Sequence, residues 1–157
     1  MIFGGEVLQQ GISVLFLCTG NYYRSRYAEV RLENWAKRHG LTWQAESRGL
    51  AVDFEQKTNK GPMSPFAISR LSERGIDPSA YLRMPQDLTV ADLAEHPLRI
   101  AVDRTEHVPM LERRFPDWVD HIEYWNVADG NPTDARHPLA EIDQHLETLF
   151  DRLMLHG

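Results

Sequence analysis

Apolar positions along the chain fall into two alternating rhythms. Ile12 to Leu17 is an almost unbroken run of β-branched and apolar residues, the pattern of a strand buried on both faces. Ser25 to His39 then sets Ala28, Leu32, Trp35 and Ala36 at helical spacing, and Gly40 supplies a stop. Thr42 to Ala45 predicts a second strand, and the mixed stretch Arg48 to Gly61 a long loop. Pro62 to Arg74 predicts a helix with Phe66, Ile68 and Leu71 inward and Gly75 at its end. Beyond a linker through Pro78 and Pro85 come a short helix, Val90 to Glu95, a strand, Arg99 to Val102, and a helix, Glu106 to Phe115. His121 to Trp125 reads as a strand. Pro138 to Leu155 aligns Leu139, Ile142, Leu146, Leu149, Phe150 and Leu153 on one face, a strong amphipathic helix. Strands separated by helices predict an α/β fold, a parallel sheet covered on both faces with right-handed crossovers. No internal repeat interrupts the pattern. Residues 12–157 are expected to form a single domain behind a short, mobile extension, residues 1–11.

Composition narrows the function classes. With 157 residues, 42% hydrophobic and 25% charged, the chain is sized for one globular domain with a substantial core. Its net charge of −6 disfavours nucleic-acid binding by phosphate neutralisation, and its apolar runs are too short for a membrane-spanning helix. The single cysteine, Cys18, excludes an internal disulfide and a cysteine-rich zinc site. The seven histidines are scattered, so neither a metal nor another cofactor is expected. Met1 to Gly11 lacks a basic start and an apolar signal core, and the expected location is the cytoplasm.

The chemistry gathers where the first strand meets the first helix. Cys18-Thr19-Gly20-Asn21-Tyr22-Tyr23-Arg24-Ser25 is Cys-x5-Arg-Ser. Five residues can curl so that backbone N–H groups form an anion nest at a helix N-terminus. The Arg24 guanidinium closes the ring with a fork matched to two phosphate oxygens. Gly20 and Asn21 are residue types that tolerate positive φ. That positive field suits a thiolate nucleophile aimed at phosphorus, with the Ser25 hydroxyl beside the sulfur. A lone cysteine at a strand end is also, more simply, a small buried apolar side chain.

On these residues the chain resembles the low-molecular-weight protein tyrosine phosphatase family from Ile12 to about Leu155. Val14 to Ser25 matches the family's opening strand and phosphate loop. Arg26-Tyr27-Ala28-Glu29 stands where members usually carry Pro-x-Ala-Glu, Gly75-Ile76-Asp77 and Arg83 match a later segment, and Ala101-Val102-Asp103 ends another strand. The resemblance implies a three-layer fold, a four-stranded parallel twisted sheet between helices. It also implies a general acid at Asp129, although Asp129-Gly130 is in itself an ordinary turn signal. Gly130 replaces the usual proline, and neither it nor Asn131 supplies the aromatic walls members place after the acid. Phe54 is the candidate replacement wall, and Tyr22 and Tyr23 either line the mouth or pack. A histidine that members use to buttress the loop asparagine aligns near Ala80, so Asn21 needs another partner.

The resemblance implies phosphomonoester hydrolysis through a cysteinyl-phosphate. Cys18 would be nucleophile, Arg24 and residues Thr19 to Ser25 the phosphate cradle, and Asp129 the acid, with Asp103 and Asp134 as alternatives. The expected partner is a phosphotyrosine protein or a small phosphate ester. Two other readings stand beside it: a catalytically weak or degenerate phosphatase-fold protein that binds phosphorylated partners or anions, and an arsenate reductase resolved by an external thiol.

Overall fold

The computed structural model describes residues 11–130 and 136–156. The expected extension, residues 1–11, therefore lies almost wholly outside the described residues. Four strands, β1 (Ser13–Cys18), β2 (Gln44–Gly49), β3 (Leu98–Ala101) and β4 (Glu123–Tyr124), form one sheet in the order β2-β1-β3-β4. Every pairing is parallel. The helices are α1 (Arg24–Arg38), α2 (Val52–Glu55), α3 (Pro65–Glu73), α4 (Val90–Glu95), α5 (Arg104–Arg114) and α6 (Arg136–His156). They cover both faces, the expected three-layer architecture.

Strand β1 organises the core through its period of two. Val14, Phe16 and Cys18 belong to one apolar cluster, with side chains from α1, α3 and α6; Leu15 and Leu17 belong to the other, with Leu93 and Leu111. Both faces are buried, which explains the absence of polar alternation. Leu139, Ile142, Leu146, Leu149 and Phe150 of α6 are buried, as their spacing predicts, and Leu153 packs at the margin.

Boundaries moved where tertiary contacts outweighed local pattern. The second strand runs over Gln44–Gly49 rather than Thr42 to Ala45, pairing along β1 from Ser13–Gln44 to Cys18–Gly49. Its alternation is disguised because Ser47 is buried while Glu46 and Arg48 are partly exposed. The expected loop Arg48 to Gly61 contains the end of that strand and α2. Helix α3 starts at Pro65, capped by Ser64, whose Oγ accepts from the Phe66 amide at 3.2 Å. Phe66 consequently faces outward, and Ala67 and Leu71 are the buried pair. The expected strand His121 to Trp125 is shortened by a 3-10 turn over Pro116–His121.

Two glycines position the site. Gly49 closes β2 against the loop after β1: a Cβ there would stand 2.5 Å from Val52 Cγ2 and 2.8 Å from the Thr19 carbonyl oxygen. Of the two residues whose types tolerate positive φ, Asn21 adopts it (φ 51°) and Gly20 does not. What Gly20 provides is room, since a Cβ would meet Asn59 Nδ2 at 3.0 Å and Glu55 Cβ at 3.1 Å.

Candidate active site

Residues 18–25 turn from the end of β1 into the start of α1, at the carboxyl edge of the sheet where ligands of parallel α/β folds bind. The loop's carbonyls are used outward. Cys18 O accepts from Leu50 N, Thr19 O from Ala51 N and Tyr22 O from Ser64 N, each at 2.9 Å. The amides of Gly20, Asn21 and Tyr22 donate to no described residue. Cys18, Thr19, Gly20, Tyr22, Tyr23 and Arg24 line a cavity of about 240 Å³ together with Asp129. Cys18 is buried, and its thiol donates to Ser25 Oγ at 2.9 Å. The same Ser25 oxygen accepts from Asn21 Nδ2 at 3.0 Å.

Arg24, 2% exposed, is held from behind. Glu106, near the start of α5, takes both terminal nitrogens of the guanidinium, Nη1 at 3.2 Å and Nη2 at 2.8 Å. Nη1 also donates to Val127 O at 2.8 Å. The fork's other edge, Nε with Nη2, is what remains for a ligand. Nε is buried without a hydrogen bond and lies 3.3 Å from Asp129 Oδ1. Burial opposes the Arg24 charge, but Cys18, Glu106 and Asp129 together hold its pKa above the ordinary value. Burial likewise opposes the Glu106 carboxylate. Hydrogen bonds from His107 and Arg24, the Arg24 charge and the Thr19 hydroxyl outweigh it, holding Glu106 far below the usual carboxylate range.

Asp129 is 60% exposed and lines the cavity, placed so that it faces both Arg24 and the opening. Gly130 beside it has φ +77°, a conformation closed to proline, and a Cβ there would stand 2.8 Å from Pro138 Cγ. The departure from the family's proline is thus built into the local backbone. Asn131 and Asp134 lie outside the described residues. Asp103 occupies the N-cap position of α5 without a side-chain capping bond, is buried, and does not line the cavity.

The aromatic lining differs from expectation. Phe54 is 67% exposed, lies under the Lys57 ammonium and does not line the cavity; Phe66 does. The outward turn of α3's first residues brings it there. Tyr22 and Tyr23 both line the mouth. Tyr22 donates to Lys60 O at 2.5 Å. Tyr23 also packs against the core, and burial, with Asp129 nearby, pushes its pKa up to about 12. Glu55 and Asn59 complete the rim. Burial raises the Glu55 carboxyl, with further contributions from Asp129 and Glu106.

The missing buttress for Asn21 is an arginine. Asn21 Oδ1 accepts from Arg83 Nη1 and from Gln86 N, each at 3.0 Å, and its Nδ2 also donates to Ser47 Oγ at 2.9 Å. Arg83 is itself fixed by Glu29 at 3.2 Å and by Ser47 O at 2.9 Å. Arg26, where relatives carry proline, is buried and donates to the carbonyls of Asn21, Pro62, Tyr81 and Arg83 at 2.6–3.2 Å. Burial and the neighbouring Arg83 lower its pKa to about 10. In the sequence, Glu106, Glu55 and Phe66 carry no site role; Arg83 stands out there through the resemblance, and Arg26 through standing in place of a proline.

Similarity to known proteins points the same way. A curated arsenate reductase of Bacillus licheniformis is 30% identical over 118 residues, 74% of this chain and 73% of that protein. A low-molecular-weight phosphotyrosine phosphatase of Vibrio cholerae superposes with a TM-score of 0.76 at 26% identity, covering 94% of this chain and 99% of that one. Vibrio vulnificus Wzb, solved with benzylphosphonate, gives 0.75 at 19% identity, covering 90% and 98%. Residues 13–156 match the family described as low molecular weight phosphotyrosine protein phosphatase, and with the thiol, arginine and carboxylate on one cavity the chain belongs to that family of cysteine-dependent hydrolases.

Proposed function

We propose that the protein hydrolyses aryl phosphomonoesters, phosphotyrosine foremost, through a cysteinyl-phosphate. The observation that carries this reading is the convergence of Cys18, Asp129 and the Nε/Nη2 edge of Arg24, whose Nε makes no hydrogen bond, on one cavity. A phosphate seated there meets the loop amides and the Nε/Nη2 edge of Arg24, donors arranged before the reaction begins. The nucleophile is the Cys18 thiolate, its proton already given up to solvent; the sulfur attacks phosphorus and the phosphorus–oxygen bond to the leaving group breaks. Asp129 gives its proton to the departing phenolate. Water then attacks the thiophosphate with Asp129 as base, the phosphorus–sulfur bond breaks, and the Ser25 hydroxyl, turned to donate, steadies the released thiolate at 2.9 Å. Phe66 and Tyr23 stand where an aromatic leaving group would rest. The substrate is a phosphorylated protein or a small phosphate ester met in the cytoplasm.

The arsenate reductase relative raises a second reaction. With Cys18 the only thiol, this chain cannot form the internal disulfide of thioredoxin-coupled reduction, which leaves an external thiol to resolve any arsenylated cysteine. Rapid quench of the wild type with a labelled aryl phosphate tests the main reading. We expect covalent phosphate on Cys18, with Cys18→Ser inactive. Turnover without a phosphoenzyme, or phosphate binding without turnover, would refute it; the latter describes the binding-protein reading.

A further inference from the structure

A second cavity, also about 240 Å³, opens beside the C-terminal half of α1, between α6 and the turn after α3. Its lining includes Arg31, Arg38 and Arg74, the Asn34 amide and Trp35, against a single carboxylate, Glu147. Three guanidinium groups so close are conspicuous in a chain of net charge −6. The carboxylate behind them is oversubscribed. Buried Asp143 accepts from Arg31 Nε at 2.9 Å, Arg70 Nη2 at 2.9 Å and the Tyr27 hydroxyl at 2.7 Å, and pairs with Arg74 Nη2 at 3.1 Å. Arg31 is 5% exposed, and its Nη2 is buried without a hydrogen bond. Glu147 Oε1 stands 3.6 Å from it on a side chain 63% exposed. Arg38 makes no hydrogen bond or ion pair with a described residue.

The ordinary explanation for cations at a helix C-terminus is the macrodipole. It accounts for Arg38 in the last turn of α1. It covers Arg74 too, which is the C-cap residue of α3, but it does not account for Arg31, which is in mid-helix and buried. Guanidinium forks arriving from two elements, with an amide between them, suit a tetrahedral oxyanion with several acceptors. We propose that this cavity is a second anion site, one that takes the phosphate group of a small phosphate compound or of a phosphorylated residue through Arg31, Arg38 and Arg74. It lies about 10 Å farther along the α1 axis than the catalytic loop, as Arg31 follows Arg24 by seven residues at 1.5 Å each. It is independent of the catalytic reading.

The test titrates the full-length wild type with inorganic phosphate while NMR follows the arginine Nε–H and tryptophan indole signals. Two binding events are expected, one reported by Arg24 and one by Arg31 and Trp35. Arg38→Glu should weaken the second by about tenfold, equivalent to 1.4 kcal/mol, and leave the first and the aryl phosphatase kinetics unchanged. Arg74→Glu gives a second measurement, and because Arg38 is exposed and unpaired, the Arg38 variant stands if the other fails to fold. A phosphoserine peptide forms the other arm. Tighter binding than inorganic phosphate identifies a phosphorylated residue as the ligand; equal or weaker binding identifies a free phosphate compound. No saturable shift at Arg31 and Trp35 in either titration, or a shift that Arg38→Glu leaves intact, would overturn the proposal. Loss of the Arg24 event alone would count against the catalytic reading and not against this one.

Discussion

Replacing Glu106 by glutamine should damage catalysis, although the residue does not line the catalytic cavity. Every group facing its carboxylate is a donor or can become one: Arg24 Nη1 and Nη2, the Thr19 hydroxyl, and His107 Nε2 at 3.3 Å. A glutamine amide would set its own N–H2 against one of those donors. Two effects then oppose each other. Losing the negative charge removes a competitor of the substrate phosphate, while losing an acceptor frees the fork to rotate. The second should win, because phosphate needs the Nε/Nη2 edge of a planar group held still, and only Val127 O would still anchor Nη1. A bond to a charged group is worth about 1.5–3 kcal/mol. At 1.36 kcal/mol per decade, kcat/KM should therefore fall about 10- to 150-fold. Vanadate inhibition should weaken in parallel, and the loss should be equal for good and poor leaving groups, since the acid is untouched.

Stability supplies an independent measurement. The Glu106 pKa is held below its ordinary 4.5 in the folded chain, so its contribution is complete above that value and is lost as pH falls toward the depressed one. Wild type and Glu106→Gln should differ most at neutral pH and converge in strong acid. For a chain of this size, a loss of about 1.5–3 kcal/mol corresponds to a neutral-pH melting difference of about 3–12 °C. If the variant keeps normal kcat/KM and binds vanadate as tightly as the wild type or more so, Glu106 is a counter-charge and not a positioning residue.

Other expectations separate the remaining roles. Asp129→Asn should slow aryl phosphates with basic leaving groups by about 10²–10⁴-fold and activated ones far less; equal losses across a leaving-group series would make Asp129 a turn residue. Arg83→Met should lower kcat/KM by about tenfold or more with the fold retained by circular dichroism, because it strips the Asn21 carbonyl of one of its two donors. Unchanged kinetics would place the support of Asn21 in its other partners, Ser25, Ser47, Arg26 and the Gln86 amide. Phe66→Ala should raise KM for aryl phosphates but not for a small alkyl phosphate, and Phe54→Ala should change neither.

What could be read in the sequence, and what could not, divides by contact distance. The strand, loop and first helix are consecutive, so Cys18, Asn21, Arg24 and Ser25 reveal themselves in one short segment. The last helix does so through its periodicity, which packing then follows. Glu106 meets Arg24 across 82 positions and Arg83 meets Asn21 across 62, and no spacing rule connects such pairs. Both are charged residues, and a charge in a sequence looks like solvent-facing surface until its partner is seen. Phe54 and Phe66 show the same limit for apolar groups. Both are exposed aromatics on neighbouring elements, and only the start of α3 at Pro65 turns one of them toward the cavity. Arg26 is the instructive case, because a proline there would have been a local matter of helix initiation. As an arginine it holds four carbonyls from three separate stretches, tying the catalytic loop to the turn before α3 and to the segment that carries Arg83. Arg26 and Arg83 thus form a pair of arginines that supports the phosphate loop from behind, one on the Asn21 backbone carbonyl and one on its side-chain oxygen.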